Sequence, residues 1–585
     1  MATERKIDPV LVAVLSNRIK AIAEEMAKTL MMTSRSGIFA EARDFVTAVF
    51  DKELRLIAQS EYFPGFAGAL PYILPPLVKK FEENIHEGDI FMVNDPYEGN
   101  SHIPDLNIVK PVFYEGKVQF WTACKGHMAD IGAGGVAGYD PEGTTVWDEG
   151  LVIPPIKLYD KGKRSEALWD FILRNVKARD IVAGDIMCEV GGNNIGERGL
   201  LKLLDRYGPE TIHLHIDEFL SASEREVRDR ISRIPDGVYY GEKSVDDNIE
   251  DKSKPVTIRV KVTKEGSDVT IDFSDSDPQG PRFMNSSFAF TQSMGTLTIF
   301  WIIEQSKSNY GSLKAIHFIN PVGTCVNCAF PATATLATTS MAEGIQEAIQ
   351  LALAPAVRHL VAAGSSKLGF QIVRGINPRT GRLYVNMDFF CRGTPSSGTE
   401  GYDGWEGGGP AQELGMGRVP DVEIQELISP VHILTFEEEM DSAGAGMFRG
   451  GNGHIYRVQY LADTIDGVLS PCNGTREYSV PFGLFGGKNP KPNITIIERP
   501  DSRRDKIESN SFMNIKKGNI VTSHLMGGAG FGDPFERDTW RVQQDVRDGF
   551  VSVEKAREEY GVVLDPETFE IDADATAKLR KRHNQ

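Results

Sequence analysis

Two runs rich in β-branched and aromatic residues, LNIVKPVFY (106–114) and KVQFWTACKG (117–126), are separated only by Glu115 and Gly116. A two-residue loop ending in glycine between such runs commits them to an antiparallel hairpin. A further strand, DIFMVND (89–95), precedes them. The open ends of that hairpin lie side by side, and they carry His102-x-x-Asp105 on one arm and His127 and Asp130 on the other. The chain has only 11 histidines in 585 residues, so this convergence is notable. Two imidazoles and a carboxylate with open positions form a donor set for Zn²⁺, Mn²⁺ or Fe²⁺. Glycines at 126, 132, 134 and 135 let the backbone close around an ion or ligand. The same residues also fit a plainer arrangement, surface loops whose histidines cap strand ends. The residues alone leave both open.

Around this segment the chain reads as α+β: a β-rich body with long helices at the N-terminus, in the middle and at the C-terminus. Residues 8–33 repeat apolar positions at three and four, with Asp8 as cap and Pro9 at the first helical position. DFVTAVFDKELRLIAQS (44–60) predicts a hairpin turning at Asp51–Glu53. Helical spacing covers 165–206 and 210–232, and it returns at 292–306 and 340–363. Residues 234–247 and the hairpin 254–275 are β-rich, as is 367–530 with its glycine turns. Soft boundaries divide the chain into an N-terminal α+β segment carrying the metal-site candidate (1–234), an α+β middle segment (235–365), a β-rich segment (366–530) and a helical C-terminal extension (531–585).

Charge narrows the partners. A formal net charge of −18 and a pI near 5.2 argue against nucleic acid or an anionic membrane. The N-terminal MATERKIDPVLVAVL has acidic residues where a secretion signal needs basic ones, and no apolar run spans a membrane, so a reduced, cytoplasmic setting is expected. Six cysteines are too few for a disulfide scaffold, and Cys325-x-x-Cys328 stands in apolar sequence as a buried thiol pair. The glycine-rich MGGAGFGDP (526–534) is not a phosphate loop and reads as a turn, and no G-x-x-x-x-G-K-[ST] occurs. DSAGAGMFRGGNG (441–453) also reads as a tight turn, with Arg449 in reach of an anion. His213 and His215 fall on a helix as structural residues, and His359 on the long 340–363 helix faces core or partner. Asp44 enters an apolar strand, either as a functional carboxylate or as the last polar residue before it.

These residues resemble a known family. NDPYEGNSHIPDLNIVKPVFYEGKVQFWTACKGHMADIGAGG (94–135), RDFVTAVFD (43–51), WDEGLVIPPIKLY (147–159), DSAGAGMFRGG (441–451) and GGAGFGDPFERDTWRVQQDVRDGFVSVEKAREEYGVV (527–563) are similar to the hydantoinase B family. That family also covers the corresponding half of 5-oxoprolinase and the α subunit of acetone carboxylase, with caprolactamase-type and hydantoinase-type B subunits among its members. The resemblance implies a hydantoinase A-like partner subunit of actin-like fold that binds ATP and Mg²⁺, in a hetero-oligomer such as a dimer of heterodimers. It implies that the partner phosphorylates the carbonyl oxygen of an amide, imide, lactam or ketone. It assigns a divalent metal to His102, Asp105 and His127, and it matches Asp44 to a family carboxylate in D-F-x-x-A-x-F-D. Asp44 and Asp130 become the candidate proton acceptors, with Asn94 and Asp95 behind the ligands. Many members carry two adjacent histidines where this chain reads His127–Met128, so a dinuclear site is not expected. The activity implied first is hydrolysis of a cyclic amide: a hydantoin, 5-oxoproline or a lactam. A ketone carboxylase consuming bicarbonate is the alternative, and a non-catalytic scaffold subunit is the third. Phe63, Phe66 and Tyr72 are aromatic candidates for a substrate pocket, with core packing the plainer role.

Overall fold

The N-terminal helix forms where its capping signals place it: the Asp8 carboxylate accepts from the N–H of Val10 at 2.9 Å, and Pro9 opens the helix Pro9–Thr33. The computed structural model describes residues 7–246, 254–282, 284–305, 308–409, 411, 418–471 and 474–583. Cys472 lies outside them. The chain divides into two compact units, one of residues 1–242 and 256–356, the other of residues 243–255 and 357–585. The expected segment 1–234 and most of 235–365 belong to the first unit, and 366–530 and 531–585 belong to the second.

In the first unit an antiparallel sheet of seven strands runs in the order β2-β1-β5-β4-β3-β6-β7. Its members are β1 (Phe45–Asp51), β2 (Leu56–Gln59), β3 (Ile90–Val93), β4 (Asp105–Tyr114), β5 (Lys117–His127), β6 (Ile156–Asp160) and β7 (Lys163–Arg164). The predicted hairpin is therefore the centre of the sheet, and its strands are buried over most of their length. The Asp51 carboxylate organises the β1–β2 turn by accepting from the N–H groups of Glu53 and Arg55.

One face of the sheet is covered by helix Pro9–Thr33 and by Arg179–Tyr207. A Cβ at Gly192 would stand 2.4 Å from Leu30 and 3.1 Å from Cys124, and one at Gly196 would stand 2.8 Å from Thr122. The glycines of EVGGNNIGERG thus sit in a helix, and Gly192, Gly196 and Gly199 are needed for close approach rather than for turning. The expected 165–206 helix is broken into Glu166–Asn175 and Arg179–Tyr207, and Pro209–Ile231 follows beyond a left-handed Gly208. His213 and His215 are buried on it. His213 shares a hydrogen bond with Gln119, and His215 bonds Thr211 and Asp8. On the opposite face of the sheet lie the short helix Pro64–Ala69 and Phe288–Ile302, the latter buried nearly all round. A second sheet, order β11-β10-β9-β8, contains β8 (Gly237–Val245), β9 (Val256–Glu265), β10 (Asp268–Asp272) and β11 (Ile316–Ile319). Cys325 and Cys328 are buried free thiols, as their apolar setting predicts.

The helix beginning at Ser340 ends at Leu353, well before 363, because Pro355 cannot continue it. His359 is consequently not on that helix. It is exposed on a 3₁₀ turn, Arg358–Leu360, of the second unit. That unit is built on two antiparallel sheets and ends in three helices, Thr539–Arg547, Val553–Tyr560 and Ala573–His583. Its glycine segments 441–453 and 527–532 are not isolated turns. They lie backbone against backbone: a Cβ at Gly450 would meet the carbonyl oxygen of Gly528 at 1.9 Å. Arg449 is not available to an outside anion, since it is buried against Glu406 at 2.8 Å and Asp545 at 3.1 Å. No helix among the described residues is long and apolar enough to cross a membrane.

Candidate metal centre

The β4–β5 turn takes positive φ at both Glu115 (51°) and Gly116 (76°), the geometry that matches strand twist in a two-residue hairpin. From this turn the register runs to Asp105 opposite His127, with Asn107 opposite Lys125. Cross-strand partners project from the same face. Asp105, Asn107, Lys125 and His127 therefore share one patch at the open end of the hairpin.

His102 reaches that patch from the loop before β4, which is held by asparagines. The Asn94 amide donates to the carbonyls of Ile103 (2.9 Å) and Leu151 (2.8 Å) and accepts from the N–H of Ile153 (2.6 Å). The Asn100 amide donates to the carbonyls of Asn94, His102 and Asp105 at 2.7–2.8 Å. The Asp95 carboxylate caps the turn Pro96–Glu98 by accepting from Tyr97 N–H, and so supports this loop from its base.

The three predicted ligands form a tight triangle. His102 Nε2 is 2.9 Å from Asp105 Oδ1 and 3.2 Å from His127 Nδ1, and His127 Nδ1 is 3.5 Å from Asp105 Oδ1. Their relative exposures are 0, 0 and 2%. Burial by itself raises the Asp105 carboxyl, but His102, His127 and Lys125 outweigh it and hold the group well below the usual carboxylate range. Ser101 donates its hydroxyl to Asp105 Oδ2. Lys125 Nζ stands 3.8 Å from that oxygen and over the Phe66 ring, and burial pushes the amine down to about 8 against the pull of Asp105.

The residues fit a divalent ion. The Nδ1–H of His102 is donated to the carbonyl of Thr335 at 2.8 Å, which orients the ring with Nε2 toward the triangle. Edges of 2.9–3.5 Å suit three donors each about 2.0–2.2 Å from one ion. His127 Nε2 is buried and meets no hydrogen-bonding partner among the described residues.

Other candidates are placed as follows. Asp44 immediately precedes β1 beside the end of β5, and its carbonyl accepts from His127 N–H at 3.1 Å, so it borders the triangle. Asp130 is differently engaged: its carboxylate accepts from the N–H groups of Gly132, Lys177 and Ala178 and ties its loop to the start of the Arg179 helix. Both of its oxygens are thus engaged in holding that loop. Phe63 and Phe66 are core residues whose rings pack at 4.3 Å, and Phe66 also lies 6.4 Å from the His102 ring. Tyr72 packs edge-on against Phe288. Lys125, Asn100, Ser101 and Thr335 join the site without having stood out in the sequence. For Lys125 a signal exists, because strand alternation puts residue 125 on the same face as 127.

Comparison with known proteins decides the family. A family model described as hydantoinase B/oxoprolinase matches residues 8–534. The chain belongs to the hydantoinase B/oxoprolinase family. The beta subunit of caprolactamase from Pseudomonas jessenii is 34% identical over 588 residues, covering 99% of this chain and 100% of that protein. The B-type subunit of a putative D-/L-hydantoinase from Pseudomonas sp. (strain NS671) is 30% identical over 598 residues, covering 99% and 98%. The crystal structure of the ATP-dependent caprolactamase from Pseudomonas jessenii superposes with a TM-score of 0.91 at 31% identity, over 99% of this chain and 100% of that one. The α+β architecture is thus that of this hydantoinase B-family structure.

Proposed function

We propose that this chain is the B-type subunit of an ATP-dependent amidohydrolase that opens a cyclic amide: a lactam, a hydantoin or 5-oxoproline. The observation that carries this reading is the buried His102–Asp105–His127 triangle. It occurs in a chain that matches a caprolactamase subunit and a putative hydantoinase subunit along their whole length. Those relatives are named as subunits, which supports a hetero-oligomer. ATP and Mg²⁺ belong to a hydantoinase A-like partner that phosphorylates the amide oxygen. That step removes amide resonance. One water adds to the carbon, and the C–N bond breaks as the ring nitrogen takes a proton and leaves as the amine. A second water hydrolyses the acyl phosphate so formed to carboxylate and inorganic phosphate.

His102, Asp105 and His127 hold the metal, and a divalent ion bound there supplies Lewis acidity. Asp105 stays anionic at neutral pH because both histidines and Lys125 favour its charge. Asp44, beside His127, is the proton acceptor for the attacking water. Burial of the triangle excludes bulk water and strengthens these electrostatic interactions.

The test is a reconstituted complex of this chain with an ATP-binding partner, assayed with ATP and cyclic amides with and without bicarbonate. Ring opening coupled to ADP release without bicarbonate is expected. Consumption of bicarbonate as a substrate would assign the complex to ketone carboxylation instead. In His102→Ala we expect loss of bound metal and a fall in turnover of at least about 100-fold, since even outer partners of a metal site are worth about 10–100-fold. Full turnover with normal metal content in that variant would make the chain a scaffold.

A further inference from the structure

The WDEGLVIPP segment, residues 147–155, has no role in the chemistry above, yet its Glu149 is fully buried. The Glu149 carboxylate accepts from Thr335 N–H at 2.7 Å and from Ala334 N–H at 2.9 Å through one oxygen, and from Ala334 N–H at 3.0 Å through the other. Thr335 is the residue whose carbonyl receives the Nδ1–H of His102. One residue thus takes hold of Glu149 through its N–H and of His102 through its C=O. Near the same place Val146 N–H donates to the Pro331 carbonyl at 2.9 Å, so the 146–149 turn grips the 331–335 strap at two points. The segment then continues to the other side of the centre. Gly150 turns it with φ +136°, and Leu151 and Ile153 receive both ends of the Asn94 amide. A single stretch of chain therefore fixes the carbonyl behind His102 and the asparagine that supports its loop.

We infer that Glu149 is a positioning residue for the metal centre: its carboxylate locks Thr335 so that the Thr335 carbonyl holds His102 with Nε2 facing Asp105 and His127. A carboxylate suits the geometry, because the backbone N–H of Thr335 points at one of its oxygens and that of Ala334 at both, and the Thr335 side chain adds a further hydrogen bond to it. The amide of a glutamine would turn an NH₂ toward one of those N–H groups and repel it. When ionised, the carboxylate also polarises the peptide groups of the strap, which strengthens the hydrogen bond to His102 and makes its Nε2 a better donor to a cation. The inference rests on the reading of the triangle as a metal centre.

The experiment titrates Co²⁺ into the metal-depleted complex and follows its visible absorption in wild type, Glu149→Gln and His102→Ala. For Glu149→Gln we expect Co²⁺ affinity to fall about 10–100-fold, with a shifted absorption band. Once Co²⁺ saturates the variant, kcat falls while KM for the cyclic amide stays unchanged. Wild-type affinity and an unchanged band in Glu149→Gln would overturn the inference. Equal Co²⁺ binding by wild type and His102→Ala would instead remove the metal-centre reading beneath it, a distinguishable outcome. A second measurement does not depend on how the variant folds. In ¹⁵N-histidine spectra of the metal-loaded wild-type complex His102 must carry its proton on Nδ1, and a proton on Nε2 overturns the assignment.

Discussion

At the scale of single residues, the centre is a balance of buried charges. Asp105 is an anion surrounded by His102, His127 and Lys125, which hold its charge, and Lys125 is in turn pulled by Asp105. Removing one partner of such a set leaves an uncompensated charge in the interior. Asp105→Asn should destabilise the chain by about 3–5 kcal/mol in denaturant unfolding. Adding Lys125→Met should recover most of that loss, because the stranded ammonium is gone, while metal binding stays abolished. Glu149 provides a pH signature. Burial raises its carboxyl from the ordinary 4.5 to about 7, against hydrogen bonds from Thr335 and Ala334. Between those values the folded chain keeps a proton that the unfolded chain has lost, so this group's contribution to stability falls as pH rises, by about 3 kcal/mol in all. Glu149→Gln should remove that slope from a plot of unfolding free energy against pH. A variant with the wild-type slope would place the titration elsewhere.

At the scale of elements, the hairpin shows what can be read in the sequence and what cannot. Its two-residue turn, its strand alternation and the meeting of Asp105 with His127 all follow from local order. The partners behind the site do not. Glu149 meets Thr335 across 186 residues of chain and His102 meets it across 233, and no spacing rule spans such distances. Arg449 misleads for a related reason: sequence gives a residue's chemistry but not the distant groups that already satisfy it. Helix glycines such as Gly192 need the sheet beneath them before their role is visible. The same hairpin separates two kinds of glycine. Gly116→Ala meets no neighbour but must adopt a left-handed φ, which costs about 1 kcal/mol and leaves the metal centre untouched. Gly126→Ala would put its Cβ 2.2 Å from the ring of Phe39, which is itself fully buried. That overpacking should cost about 1–3 kcal/mol, displace the end of β5 and weaken Co²⁺ binding at His127.

At the scale of the whole molecule, charge and burial set its behaviour in solution. With 82 acidic against 64 basic side chains, the chain should show its solubility minimum near its pI of about 5.2, away from any optimum for an anionic centre. The α+β class and the order of helical and β-rich stretches are readable from periodicity. The grouping of residues 1–242 with 256–356 is not, since it depends on long-range packing. The near-zero exposure of His102, Asp105 and His127 governs time as well as energy. An ion held there cannot leave until the protein opens, so its residence time is set by a gate. Removal by a strong chelator should therefore reach a limiting rate as chelator concentration rises, equal to the opening rate of the loop 94–104 and its strap. Under the proposed function, a substrate bound for the same centre waits for that same gate.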